Sequence, residues 1–162
     1  MIRVLCVGNE YQVDDGVGPA VGRWLIERCS LPTEVEVLDR ATMGYAMVGD
    51  LMGCDAVVVV DAVDGTGEAP GTVVRFVPDD MAPSSGMTSL HDVRFADVWN
   101  NAQFMSCACD SAVCFGVQVL DLGDGTMRQG MTEPVAAAVE PCARAVIAYL
   151  RDELGCDIAW PV

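Results

Sequence analysis

The apolar positions of this chain follow two periods. Nearly unbroken runs rich in β-branched residues recur at residues 2–7 (I-R-V-L-C-V), 56–60 (A-V-V-V-V) and 112–119 (A-V-C-F-G-V-Q-V). Such runs make strands buried on both faces of a parallel sheet. Residues 34–38 alternate charged with apolar side chains, as a half-exposed strand does, and residues 72–77 are a fifth strand candidate. Between these runs the spacing turns helical. Val17, Val21, Trp24, Leu25 and Arg28 predict a helix from about residue 16 that stops before Leu31-Pro32. A short helix is expected over residues 43–52, ending at Gly53, and a helical stretch from Ser89-Leu90-His91 to about residue 100. A long last helix over residues 133–154, capped by Thr132, carries the stripe Val135, Val139, Cys142, Val146, Tyr149 and Leu150. Residues 61–71, 78–88 and 121–130 read as loops, and residues 155–162 as a surface tail. Strands alternating with helices predict a single domain over residues 1–162. Its expected form is a three-layer α/β/α sandwich around a mostly parallel sheet of about five strands.

One junction in this pattern carries chemistry. The first strand runs into Gly8 and Asn9, and the next helix is preceded by two adjacent carboxylates, Asp14 and Asp15, with Gly16 and Gly18 after them. One Asp suffices to cap a helix. Two among glycines, at the carboxyl end of a strand where open α/β sheets hold ligands, point to a functional role for at least one. The expected division is Asp14 as the cap and Asp15 as the functional group. Asp61, after the most apolar strand, and His91, the sole histidine, fall at comparable places. Asp15, Asp61 and His91 together form an O,O,N donor set suited to a divalent metal such as nickel or zinc. An Asp-His catalytic pair is the alternative, but no G-x-S-x-G elbow or recognisable cysteine nucleophile accompanies it.

Composition narrows the partners. The net charge is −15, with nine basic residues, all arginine, against twenty-four acidic ones. Nucleic acid, which needs clustered positive charge, is an unsuitable partner; a basic peptide or a metal cation suits the field better. The absence of lysine excludes Schiff-base chemistry and a Walker-type phosphate loop. No run of about 20 apolar residues could span a bilayer and no signal peptide is evident, so a cytoplasmic location is expected. Eight cysteines are present. Cys6, Cys29, Cys54, Cys142 and Cys156 are scattered as small hydrophobes, and the cluster Cys107, Cys109, Cys114 lacks the C-x-x-C spacing of zinc or redox sites.

The stretch V-L-C-V-G-N-E-Y-Q-V-D-D-G-V-G resembles the G-x-G-N-x-x-x-x-D-[DE]-x-x-G signature of the hydrogenase maturation endopeptidases. The resemblance extends through V-V-V-V-D-A-V-D, S-L-H-D and F-G-V-Q-V to G-M-T-E-P-V-A-A-A-V, nearly the whole chain. It implies an endopeptidase that removes the C-terminal extension of a nickel-loaded nickel-iron hydrogenase large-subunit precursor. It also implies that Asp15, Asp61 and His91 engage a nickel carried by the substrate rather than by this protein. Substrate contacts fall by the same resemblance on Asn9, Arg40, Thr42 and Gly44, and the enzyme is expected to act as a monomer. Two departures stand out. Cys6 replaces the first glycine of the signature, and Asp39-Arg40-Ala41-Thr42-Met43-Gly44 replaces the family's D-G-G-T-x-G, putting side chains where glycine's positive φ values are expected. A non-proteolytic metal-sensing assembly factor on the same fold is the alternative function. A nucleotide-binding domain is a weaker one, because the phosphate-binding glycine fingerprint is absent.

Overall fold

The computed structural model of the chain describes residues 1–81, 88–89 and 95–160. Its elements in order are β1 (Ile2–Val7), α1 (Val17–Arg28), β2 (Val35–Ala41), β3 (Ala56–Asp64), β4 (Val73–Phe76), β5 (Thr88–Ser89), α2 (Phe95–Phe104), β6 (Ser111–Gln118) and α3 (Glu133–Asp152). The strands form one sheet in the order β2-β1-β3-β6-β4, with the two-residue β5 pairing β3. Parallel pairing joins β2, β1, β3 and β6, whereas β4 and β5 run antiparallel to their neighbours. The mostly parallel sheet expected from the alternating pattern is therefore present.

Period-two alternation divides the core. Val4, Cys6, Val58, Val60, Val113 and Val117 pack on one face with Val21 and Leu25 of α1 and Val146 and Leu150 of α3. Leu5, Val7, Val57, Val59 and Cys114 pack on the other with Val98 and Trp99 of α2 and with Met47 and Leu51. This gives the three layers. Both faces are covered, which is why the central strands read as continuous apolar runs.

Several boundaries differ from the sequence expectation. The segment over residues 43–52 is a 3-10 helix, Gly44–Leu51, rather than an α-helix, and Gly53 follows it at φ +68°. Asp61 does not end its strand: β3 continues to Asp64, because β6 pairs it as far as Val63↔Gln118 and β5 covers Val63 and Asp64. Ser89 belongs to a strand, and the helix described after it is α2, Phe95–Phe104. The tail is not wholly superficial, since Cys156 and Ile158 are buried against the α1–α3 face of the sheet.

Candidate active site

The register of the sheet builds the site. Pairing between β1 and β3 ends at Cys6↔Val60, so Val7 and Asp61 come next along the same carboxyl edge. Helix α1 starts immediately over this edge. A Cβ on Gly18 would lie 2.0 Å from the Val7 carbonyl oxygen and 2.9 Å from that of Val60, so only glycine lets the helix dock here. The turn before it, a 3-10 helix over Val13–Gly16, packs against β3 and carries Asp14 and Asp15. The structure thus places Asp15 and Asp61 at one edge, as the sequence suggested, and each is only 5% exposed. His91, the third residue of the expected set, lies outside the described residues.

The two adjacent carboxylates have different tasks, and neither is the N-cap of α1, a position held by Gly16 without a side-chain cap bond. Asp15 Oδ2 accepts the Asn9 amide at 2.9 Å, fixing the chain that leaves β1. Gly8 just before it has φ +142°, and a Cβ there would meet the Asp15 carbonyl at 2.0 Å. Asp14, expected to be the cap, is instead a fully buried anchor. Its carboxylate accepts the amides of Leu120 (2.9 Å), Asp121 (2.8 Å) and Thr132 (2.7 Å) and the Thr132 hydroxyl (2.8 and 2.9 Å). Thr132 precedes α3 but does not cap it with its side chain, because Asp14 engages the hydroxyl. A carboxylate at this helix start also meets the positive end of the α3 dipole.

The loop presenting both groups is strained. Val13 sits at φ +51°, an outlying value for a β-branched residue. It is over-determined by its neighbours: Val13 N donates to Arg128 O (3.2 Å), Asp14 N to Asp121 O (3.2 Å) and Arg128 N to Tyr11 O (2.8 Å).

Asp61 faces the α2 side of the sheet. Its Oδ1 accepts the Ala62 amide at 2.8 Å. Burial pushes the neighbouring Cys114 thiol well up, and the charges of Asp61 and Asp80 push it the same way. Cys114 is therefore a neutral thiol at physiological pH and unsuited to act as a nucleophile.

Beside Asp15 a cleft of ≈ 310 Å³ is lined by Gly8, Asn9, Glu10, Tyr11, Pro19, Asp39, Ala41 and Thr42. It holds two of the four expected substrate contacts, Asn9 and Thr42. Arg40 turns elsewhere and forks onto Asp50 through Nε (2.8 Å) and Nη2 (2.7 Å), while Gly44 opens the 3-10 helix at φ +54°. The D-R-A-T-M-G departure has a visible cost: Ala41 adopts φ +45°, a left-handed value that glycine reaches without strain. The Cys6 departure is accommodated by a gap on α1, since a Cβ on Gly22 would lie 2.8 Å from Cys6 Sγ.

One residue at this edge was not singled out as part of the site. Gln118, buried at the end of β6, accepts from Thr66 N (3.1 Å) and Thr66 Oγ1 (2.6 Å) and donates to Asp64 Oδ1 (2.9 Å). It holds the loop after β3 in place. Its signal was a lone amide inside the apolar run F-G-V-Q-V.

A family model described as hydrogenase maturation protease (HycI) matches residues 19–149. The chain is 31% identical to the hydrogenase 2 maturation protease of Escherichia coli K12, covering 93% of this chain and 91% of that protein. It is 35% identical to the hydrogenase expression/formation protein HoxM of Azotobacter vinelandii, covering 93% of this chain and 72% of that one. Among solved structures, the hydrogenase maturating endopeptidase HybD of E. coli superposes with a TM-score of 0.80 at 30% identity, over 97% of this chain and 95% of the other. The match spans most of the chain and the sheet edge bearing Asp61, and on that ground the chain belongs to the hydrogenase maturation protease family.

Proposed function

We propose that this protein is a cytoplasmic endopeptidase that removes the C-terminal extension of a nickel-iron hydrogenase large-subunit precursor after nickel has been inserted. What supports the reading is the placement of Asp15 and Asp61 on one sheet edge in a chain of this family. Two anionic oxygens at a buried edge suit a divalent cation. In this reading the cation arrives with the substrate, and His91, placed by its motif alone, supplies the nitrogen donor. Held by these three residues, the substrate's nickel orients the scissile peptide at the cleft beside Asn9 and Thr42. The protein acts as a monomer on a single precursor chain.

The test is to incubate the purified protein with nickel-loaded and nickel-free precursor and to follow the precursor's C-terminal mass. Loss of the extension from the loaded form alone is the expected result. Equal cleavage of both forms would refute the nickel requirement, and cleavage of neither would favour the assembly-factor alternative. The purified enzyme is also expected to hold no metal after dialysis against a chelator. Stoichiometric zinc or nickel surviving that step would make it an ordinary metalloprotease.

A further inference from the structure

The end of the sheet opposite the active edge gathers cysteines that the protease chemistry does not use. Cys54 immediately precedes the bend into β3, and Cys109 the bend into β6. These strands pair in parallel from Ala56↔Ser111 onward, and just before them Asp110 N donates to Asp55 O at 3.2 Å, tying the two entering segments together. Cys54 and Cys109 each precede that bonded pair by one residue, and their thiols lie within hydrogen-bonding reach of each other. Neighbouring strands lie about 4.8 Å apart, within the roughly 4.4–6.8 Å over which Cα atoms accept a disulfide. Both residues pack against the same apolar cluster beneath α2. Each thiol has a weak acceptor nearby, Cys54 Sγ the Asp50 and Leu51 carbonyls (3.5 and 3.6 Å) and Cys109 Sγ that of Ser111 (3.2 Å).

We propose that Cys54 and Cys109 are a redox-convertible pair that closes into a disulfide across the mouths of β3 and β6. The pair is a modification site independent of the protease reading. Burial, followed by the charge of Cys54 and a hydrogen bond with it, pushes the Cys109 thiol up to about 12. A Cys109 thiol that gains no stabilisation as a thiolate favours the oxidised form, the opposite of the strongly oxidising dithiol enzymes. A metal clasp is not the better reading, since among the described residues no three His, Cys, Asp or Glu side chains group as metal ligands.

With a low-molecular-weight disulfide as oxidant, the half-buried Cys54 reacts first. Its thiolate, having given its proton to solvent, attacks one sulfur of the oxidant, forms a mixed disulfide and expels one thiolate, which is then protonated. Cys109 loses its proton and attacks the Cys54 sulfur, expelling the second thiol. Two protein thiols are oxidised and one disulfide oxidant is reduced to two thiols. The bridge encloses β3, β4, β5 and α2 in a long loop of the unfolded chain, so it stabilises the fold. Asp61 lies at the far end of β3, so the active edge is left as it was.

The experiment exposes the full chain, freshly reduced, to oxidised glutathione, then denatures and alkylates it and maps the linked peptides. Six alkylated cysteines, a Cys54–Cys109 crosslinked peptide and an unfolding midpoint raised by on the order of 10 °C are expected. Cys54→Ser, a half-buried position, should fold, yield no crosslink and show no rise. Eight alkylatable cysteines, glutathione adducts without a bridge, or a bridge through Cys107 would each overturn the assignment. So would a midpoint that rises equally in Cys54→Ser.

Discussion

At the scale of single residues, the adjacent carboxylates show what a local reading can and cannot reach. That the pair exceeds the needs of a helix cap was legible from its glycine setting. Which carboxylate does what was not, because the donors that define Asp14 come from Leu120, Asp121 and Thr132, more than 100 residues away along the chain. The cap expected at Asp14 is thus a multiply bonded anchor, and Asp14→Asn is a costly exchange for the fold. An amide offers one acceptor oxygen and turns an N–H₂ toward backbone N–H groups, so the variant should lose about 2–4 kcal/mol in urea unfolding. Asp15→Asn keeps the Asn9 bond through its amide oxygen and should cost about 1 kcal/mol while losing nearly all processing, since a neutral oxygen holds a divalent cation poorly. Measuring unfolding and precursor cleavage on both variants separates the roles. A stable Asp14→Asn or a fully active Asp15→Asn would contradict this assignment.

At the scale of elements, the strands and long helices were readable because both faces of the sheet are covered, which writes apolar runs and stripes into the chain. The misreadings arose where tertiary pairing outweighed local signals. D-A-V-D-G looks like a loop, yet β6 and β5 draw its first four residues into β3. The docking of α1 on the sheet was announced only as glycines, and its geometry makes a sharp prediction. Gly18→Ala forces a Cβ against two carbonyl oxygens of different strands, neither of which can move without breaking the parallel register. A loss of about 3 kcal/mol or more is expected in thermal or urea unfolding. Ala41→Gly should go the other way, gaining about 0.5–1 kcal/mol by relieving the left-handed alanine, so the two exchanges measured together test whether glycine placement governs this edge.

At the scale of the whole molecule, the two ends of the sheet differ in kind: a carboxylate edge at the candidate site and a thiol end opposite it, both within a strongly acidic chain. The buried thiols make the fold sensitive to alkali. Burial pushes Cys142 up to about 12, far above an ordinary thiol. Cys6 is raised further by burial and the charge of Asp39, and Cys114 by burial and the charges of Asp61 and Asp80. In the unfolded chain these thiols ionise near pH 8.5. Between that pH and the folded pKa the native state binds more protons than the unfolded one, so stability falls as pH rises. The stabilisation is fully present below about pH 8.5 and is lost on the way to pH 12. With Cys109, also pushed up to about 12, four such thiols remove roughly 5 kcal/mol per pH unit, against a typical total of about 5–15 kcal/mol. Unfolding is therefore expected within about one to three pH units above pH 9. Tyr149, also raised by burial, adds a loss of the same sign above pH 10. Cys142→Ala isolates the thiol contribution: it should start less stable at pH 8, where a small cavity is its only effect, and lose stability about one quarter less steeply up to pH 11. A parent protein equally stable at pH 8 and pH 10.5, or a variant that falls in parallel with it, would show that these thiols leave the core before they ionise.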